Sequence, residues 1–377
     1  MNNVILYFPV SVIIIFFLII KLCFRFWSRQ PVFHIYNPYY WIYSPIIVNY
    51  KKPKKNKFFD LSVSTIPFDD ISTEKKALLV CFLQTHQRCS TMPKTFNSKT
   101  FYKCLELQNK NAFISTYNWG LDNKIIGYIS SRILCASINK KKLFISYMDD
   151  WVIRENYDIM DNNNKLFYSH YHNVRNVNSS KIFLFTTGKL KTVIPYCIFN
   201  NNLFQINKWN RINKMLPINI TCKLINDQMF PILIDIFTDI QNKFKTFIIP
   251  PHSNIKNLIK HNIIYPCVCM DKTTPVAIVF YRNSFQKYNN GPIINMIASY
   301  CREGYEDIFK DSLTNMVYLL KYKYDFSYLN INDGADNGLL LNYMKGLDIP
   351  KLTTRSYYYF YNYISCPVKP SNVFMLN

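Results

Sequence analysis

Few side chains in this sequence stand where familiar chemistry would need them. His170 and His172 are one residue apart in a stretch with helical periodicity, so they project to different sides and make a poor metal pair. Cys267 and Cys269 alternate along an expected strand and share one face. Without a second pair they read as core thiols sooner than as zinc ligands. Cys197 has Asn201 and no histidine close by, so a thiolate nucleophile there lacks an activating base, and core packing is the preferred reading. His34, His86, His252 and His261 are isolated. No Gly-x-x-x-x-Gly-Lys loop, Gly-x-Ser-x-Gly elbow or His-Glu-x-x-His pair occurs. No metal site is expected.

The elements that would position a site follow from periodicity, and their order occurs twice. The first round has helices over Lys75 to His86 and Ser98 to Gln108, then a strand over Ala112 to Trp119 that turns into Lys124 to Ser137. A strand from Leu143 to Ile153, a helix around Lys165 to Val174 and the strand Lys181 to Thr187 complete it. The second round has helices from Met229 to Lys243 and Asn254 to His261, then strands Ile264 to Met270, Pro275 to Tyr281 and Ile293 to Cys301. An amphipathic helix, Glu306 to Lys323, and the strand Phe326 to Ile331 close it. Such an α+β body is similar to two pseudo-symmetric GNAT-type acyltransferase halves, expected over residues 25–215 and 216–377. In that sheet the fourth strand splays from the fifth, and the amino end of the next helix can seat a pyrophosphate.

Composition excludes a disordered or glycine-rich chain: of 377 residues 49% are hydrophobic, 18% charged and only 8 are glycine. The formal charge of +22 favours anionic partners such as head groups, nucleic acid or phosphorylated ligands. The 11 scattered cysteines are odd in number, which fits a reduced, cytosol-facing chain. Val4 to Ile20 is free of charge and flanked by Lys21, Arg25 and Arg29, so residues 1–24 are expected to form an uncleaved transmembrane helix. The basic run Lys51 to Lys57 then puts the body on the cytoplasmic side, against anionic lipid.

Several stretches together resemble the N-myristoyltransferases. Phe24-Arg25-Phe26-Trp27-Ser28-Arg29-Gln30-Pro31-Val32 is similar to the opening motif of that family: an aromatic, a basic residue, Phe-Trp and then Gln-Pro-Val. Tyr147-Met148-Asp149-Asp150-Trp151-Val152-Ile153-Arg154 lies where the family has its central hydrophobic strand. Phe185-Thr186-Thr187-Gly188 is similar to its Tyr-Thr-Ala-Gly turn, and Phe244 to Pro250 to the loop after the first helix of its second half. Tyr358 to Tyr363, Cys366-Pro367 and the end at Asn377 are similar to its closing strand and terminus.

The resemblance implies transfer of myristate from myristoyl-coenzyme A, as co-substrate, to the N-terminal glycine of client proteins by a monomer. It implies that the carboxylate at Asn377 is the base and that the main-chain amides of Asp150 and Trp151 are the oxyanion donors. Phe26, Trp27, Gln30, Val152 and Ile153 would line the cofactor; Thr186, Gly188 and Gln205 would lie near the incoming glycine. The chain departs from the family where phosphates would sit. Asp158 and Asp161 replace basic residues, Asn201 stands at a histidine position, and Lys345 to Lys351 has lost most of a glycine-rich loop. The family's acidic run, which meets basic peptides, falls near Gln87-Arg88-Cys89-Ser90. A second class of function stays open: the same fold without its chemistry, acting as a membrane-anchored structural or interaction protein. The composition suggests a large DNA virus, which would place it in a virion or host membrane. A third class, nucleic-acid binding, would use Tyr357 to Tyr363 as a stacking platform, although those tyrosines read better as an alternating core strand.

Overall fold

The computed structural model describes residues 18–87, 101–108, 111–120, 124–157, 160–206 and 215–377, together with Val12 and Ile15. The chain begins with a helical stretch through residues 18–23, a short 3-10 turn over Trp27–Arg29 and the helix α1, Pro38–Tyr43, whose Asn37 cap accepts the Tyr39 N–H. Strands β1 (Ile46–Ile47) and β2 (Val63–Pro67), helix α2 (Thr73–His86) and strands β3 (Phe113–Trp119), β4 (Lys124–Ile138) and β5 (Lys141–Ile153) follow. Helix α3 (Met160–Val177) leads to β6 (Ile182–Thr187), β7 (Cys197–Gln205) and β8 (Ile220–Leu224). After helix α4 (Phe230–Lys243) come β9 (Thr246–Ile249), helix α5 (His252–Lys260) and strands β10 (Ile264–Asp271), β11 (Thr274–Tyr288) and β12 (Gly291–Cys301). Helix α6 (Glu306–Lys323), β13 (Tyr328–Asn332), helix α7 (Asn337–Leu347), β14 (Leu352–Tyr361), β15 (Tyr363–Ile364) and β16 (Val373–Met375) end the chain.

One continuous 14-stranded sheet carries both halves. In the first half β3, β4 and β5 are antiparallel neighbours, β5 runs parallel to β6, and β6 is antiparallel to β14. In the second, β10, β11 and β12 repeat the antiparallel set, β12 is parallel to β13, and β13 is antiparallel to β7. The last strand of each set comes from the other half of the sequence. β7 and β14 then pair with each other, Thr354 opposite Asn201, and join the two sets. The expected division between residues 215 and 216 is therefore crossed by a reciprocal exchange of strands.

Each half splays at its parallel pair. β5 meets β6 only from Ile145 to Met148, and β12 meets β13 only from Ile293 to Met296, so the carboxyl ends of β5 and β12 lean away. Helix α3 covers the first half. Gly127 on β4 lets it approach, because a Cβ there would stand 2.6 Å from Ile153 Cδ1 and 3.0 Å from Leu166 Cδ2. Helices α6 and α7 cover one face of the second half through Phe309, Leu313, Met316, Leu340 and Met344, all buried. Helices α4 and α5 pack Leu233, Ile240, Ile255 and Leu258 against another part of the sheet.

Some expectations are corrected. Phe244 to Pro250 is not a loop: Thr246–Ile249 is a fully buried strand that pairs with β4 and, in parallel, with β16. Of the expected helix over Ser98 to Gln108, residues 98–100 lie outside the described residues, Phe101 is helical and Tyr102–Cys104 form a 3-10 turn. Tyr359, Tyr361 and Tyr363 are buried in the middle of the fold, so they form no stacking platform for nucleic acid. The expected membrane helix lies mostly outside the described residues, among which no helix is long and apolar enough to cross a membrane.

Candidate active site

Where β5 splays, its ladder with β4 is broken by a bulge. Ser130 pairs with Asp149 and Tyr128 with Val152, so Asp150 and Trp151 together oppose Ile129. Asp150 takes a φ of 49°, which turns the strand at the rim of a cavity of about 320 Å³. The Asp150 N–H donates to the carboxylate of Asp149 at 2.9 Å, and the Asp150 carboxylate accepts from Gln87 Nε2 at 3.2 Å. Arg132 lies fully buried beneath, its guanidinium 5.5 Å from the Tyr147 ring centre. Burial works against its charge, while Cys104, Asp149, Tyr147 and Asp150 hold it. Its Nε and Nη2 have no hydrogen-bond partner.

The chain returns to this cavity at its last residues. Phe374 and Leu376 are buried, the Leu376 N–H donates to Ile248, and Asn377 lines the cavity. Asn377 Nδ2 donates to the hydroxyls of Tyr147 and Tyr358, each at 3.0 Å, and its main-chain oxygen accepts from Arg282 Nη1. Burial pushes Tyr358 up to about 12 and Tyr147 well above its ordinary value, so both keep their protons at neutral pH. Each hydroxyl accepts from Asn377 and still has a proton to offer.

The rest of the cavity belongs to the face of the second half's sheet opposite α6 and α7. Asn295 and Asn330 are register partners, and Asn330 Nδ2 donates to Asn295 Oδ1 at 3.1 Å. Asn201 Nδ2 donates to Ser356 Oγ at 2.9 Å, and Asn332 Nδ2 to the Ile297 carbonyl at 3.0 Å. Neutral amides and hydroxyls dominate; the charged side chains of the lining are Asp149, Asp150 and Arg282.

Asp150 and Asn377 line the same cavity; Trp151, next along the bulge, does not line it, and other expected residues lie elsewhere. Phe26 is buried on Trp27, Phe58 and Phe167, while Trp27 stacks on Phe185 at 5.5 Å and 7°. Trp151 leans on Phe167 at 5.0 Å, its Nε1 buried and unpartnered, so aromatic rings pack into the gap between β5 and β6. Val152 faces the α2 cluster and Ile153 the α3 cluster. Gln30 is buried under Tyr361, whose hydroxyl donates to Gln30 Oε1. Thr186 pairs with Tyr358, Gly188 follows β6, and Gln205 pairs with Tyr328; none of the three lines the cavity. Arg282, Arg132, Tyr147 and Tyr358 were not singled out from sequence, because they meet only through strand register.

The phosphate end is unfavourable. Asp161 stands in the first turn of α3, where a bound anion would need the helix dipole. Lys165 is shared by Asp60 at 3.7 Å and Asp161 at 3.5 Å. Arg88, Cys89, Ser90 and Asp158 lie outside the described residues. Cys197 is buried and pushed up to about 12 by burial, which makes it an inert thiol. Cys267 and Cys269 share one core cluster. Among the described residues no group of His, Cys, Asp and Glu could hold a metal ion. His170 faces Ser115 at 2.7 Å, while His172 lies on Phe59 at 4.5 Å, two different sides of α3.

Comparison with solved structures accounts for the architecture. Crystal structures of Saccharomyces cerevisiae N-myristoyltransferase with bound myristoyl-CoA match 92% of this chain and 90% of theirs, at a TM-score of 0.71 and 14% identity. The fold is that of an N-myristoyltransferase. A structure of the same yeast enzyme with myristoyl-CoA and inhibitors matches at a TM-score of 0.72 and 13% identity, covering 92% of each chain. No protein-family model matches the sequence, and no curated protein sequence matches it. The chain thus shares the fold of these N-myristoyltransferase structures at an identity where sequence comparison finds nothing.

Proposed function

We propose that this protein transfers a long-chain acyl group, myristoyl, from its coenzyme A thioester to the N-terminal glycine of a client protein. The observation that carries the reading is Asn377, held by Tyr147, Tyr358 and Arg282 inside the cavity bounded by the Asp150 bulge. In the role that the resemblance gives it, a terminal carboxylate at Asn377 would take a proton from the glycine ammonium. The freed amine attacks the thioester carbonyl, a C–N bond forms, the C–S bond breaks, and the proton that the nitrogen loses as the amide forms goes to the departing sulfur, so coenzyme A leaves as the thiol. The main-chain amides of Asp150 and Trp151 would meet the developing oxyanion once the Asp149 carboxylate turns away. Trp27, Phe167 and Phe185 offer the acyl chain apolar contact, and their rings must part to admit it. The reading includes a membrane-tethered monomer; the tether is supported by Val4 to Ile20, which carry no charge, and by Val12, Ile15, Leu18, Ile19 and Leu22, which are exposed.

A second reading is a fold without acyl transfer. It is favoured by the Asp161 carboxylate at the start of α3 and by the Asp149 carboxylate on the Asp150 amide. Purified protein mixed with myristoyl-CoA and glycine-ended peptides separates the two. Acylated peptide, lost when one residue is added after Asn377, is the outcome of the first reading. No saturable binding at micromolar myristoyl-CoA overturns it and leaves the second.

A further inference from the structure

The lysine run at residues 51–57, expected from sequence to lie against anionic lipid, is pinned down by the fold. Arg175 of α3 is 4% exposed, and its Nη2 donates to the carbonyls of Asn49, Tyr50 and Lys51. Asn362 clamps Asn49 from the other side, accepting its N–H and donating to its carbonyl, each at 2.8 Å. The Tyr168 hydroxyl holds the Lys54 carbonyl at 2.7 Å, and Lys52 Nζ reaches the Asn176 carbonyl at 2.9 Å. The fixed segment closes a second cavity, of about 270 Å³, walled by Arg29, Lys51, Lys52 and Lys54 over Tyr168 and Tyr171.

Four basic residues and no carboxylate are among the residues that line this cavity, so its lining carries a net positive charge. Arg175 Nε, buried behind Lys51, has no hydrogen-bond partner. A bound phosphate would supply the negative charge that this lining lacks and accept charge-assisted hydrogen bonds from its exposed basic side chains. The cavity lies away from the start of α3, where the acyl-CoA phosphates are expected, although Gln30, expected beside the cofactor, also lines it. Tyr168 and Tyr171 stand roughly 12 to 17 Å along α3 from its first residue, by the rise of an α-helix.

We propose that this cavity binds a phosphate ester, either the head group of an anionic lipid or a soluble phosphorylated molecule. The lipid source has support in the chain itself. Arg29 lies one short turn beyond the helical stretch on which Leu18, Ile19 and Leu22 are 53%, 52% and 64% exposed. A head group in the cavity would bring that apolar strip to the bilayer surface. The site does not depend on acyl transfer.

The test uses the full chain with two partners: vesicles of phosphatidylcholine alone or mixed with phosphatidylserine, and glycerol 3-phosphate in neutral detergent. The double variant Lys51→Ala/Lys54→Ala removes two exposed cations and is compared with Lys140→Ala/Lys141→Ala at the exposed β4–β5 turn. Loss of about fivefold in affinity is expected per cation removed at the cavity, and no comparable loss at the turn. If the loss appears as a reduced preference for phosphatidylserine vesicles, the ligand is lipid; if it appears only for glycerol 3-phosphate, the ligand is soluble. Equal losses in both variants, or no effect of the cavity variant on either partner, overturn the proposal.

Discussion

The gap between β5 and β6 and its counterpart between β12 and β13 come from the same strand pattern and hold opposite contents. In the first, the rings of Trp27, Trp151, Phe167 and Phe185 pack under α3. In the second, Asn295, Asn330 and Asn332 look into an open cavity with the chain terminus at its side. Both following helices carry carboxylates in their first turn, Asp161 on α3 and Glu306 with Asp307 on α6, so neither amino end is left free for an anion. Topology fixes where the gaps open; side chains decide whether each is core or site.

Four measurements sharpen or break this contrast. Phe185→Ala removes a side chain that is 1% exposed and touches Trp27, Phe167 and Tyr359, so a loss of about 3 to 5 kcal/mol in unfolding free energy is expected. A loss under 1 kcal/mol in denaturant unfolding would mean that the first gap is loosely filled.

The packed half also holds His170, which burial lowers from 6.5 to about 3. Below pH 6.5 the unfolded chain takes up a proton that the folded one refuses, so acid favours unfolding. Between pH 6.5 and 5 this amounts to about 2 kcal/mol. A His170→Gln variant should show a flatter fall in melting temperature over that range, with His34, also lowered by burial, supplying the remaining slope. An identical slope in variant and parent would contradict a solvent-excluded imidazole.

In the open gap the same kind of truncation should matter less to folding. Asn330→Ala loses one side-chain hydrogen bond to Asn295, worth about 1 kcal/mol, but should raise the KM for a glycine-ended peptide while the melting temperature moves little. A large thermal shift with unchanged KM would make this face structural. The smallest effect is expected at the helix start. Asp161→Asn should tighten acyl-CoA about two- to fivefold in a titration, by removing a charge that competes for the α3 dipole. Unaltered affinity would mean that phosphates do not approach this end.

Much of the fold was legible locally. The helix Glu306–Lys323 lies where its apolar periodicity places it, and β4, β5, β10 and β12 fall within a few residues of expectation. Short strands were not: the resemblance makes β9 a loop, its three apolar residues after Thr246 are too few to show a period, and it becomes a strand by inserting between β4 and β16. Trp27 shows the same limit at the site. Its motif is recognisable, yet its stacking on Phe185 depends on a partner far along the chain.

The sequence by itself determined the doubled element order, the excess of positive charge, the apolar start and the lack of metal or nucleophile signatures, since these are matters of composition and short-range spacing. Only the tertiary structure decided that β7 and β14 change places, that Asn377 meets Tyr147 and Arg282, and that the lysine run is clamped to α3. Those contacts join residues far apart in the chain. Their stability comes from register and shared burial across the whole sheet, which no local window contains.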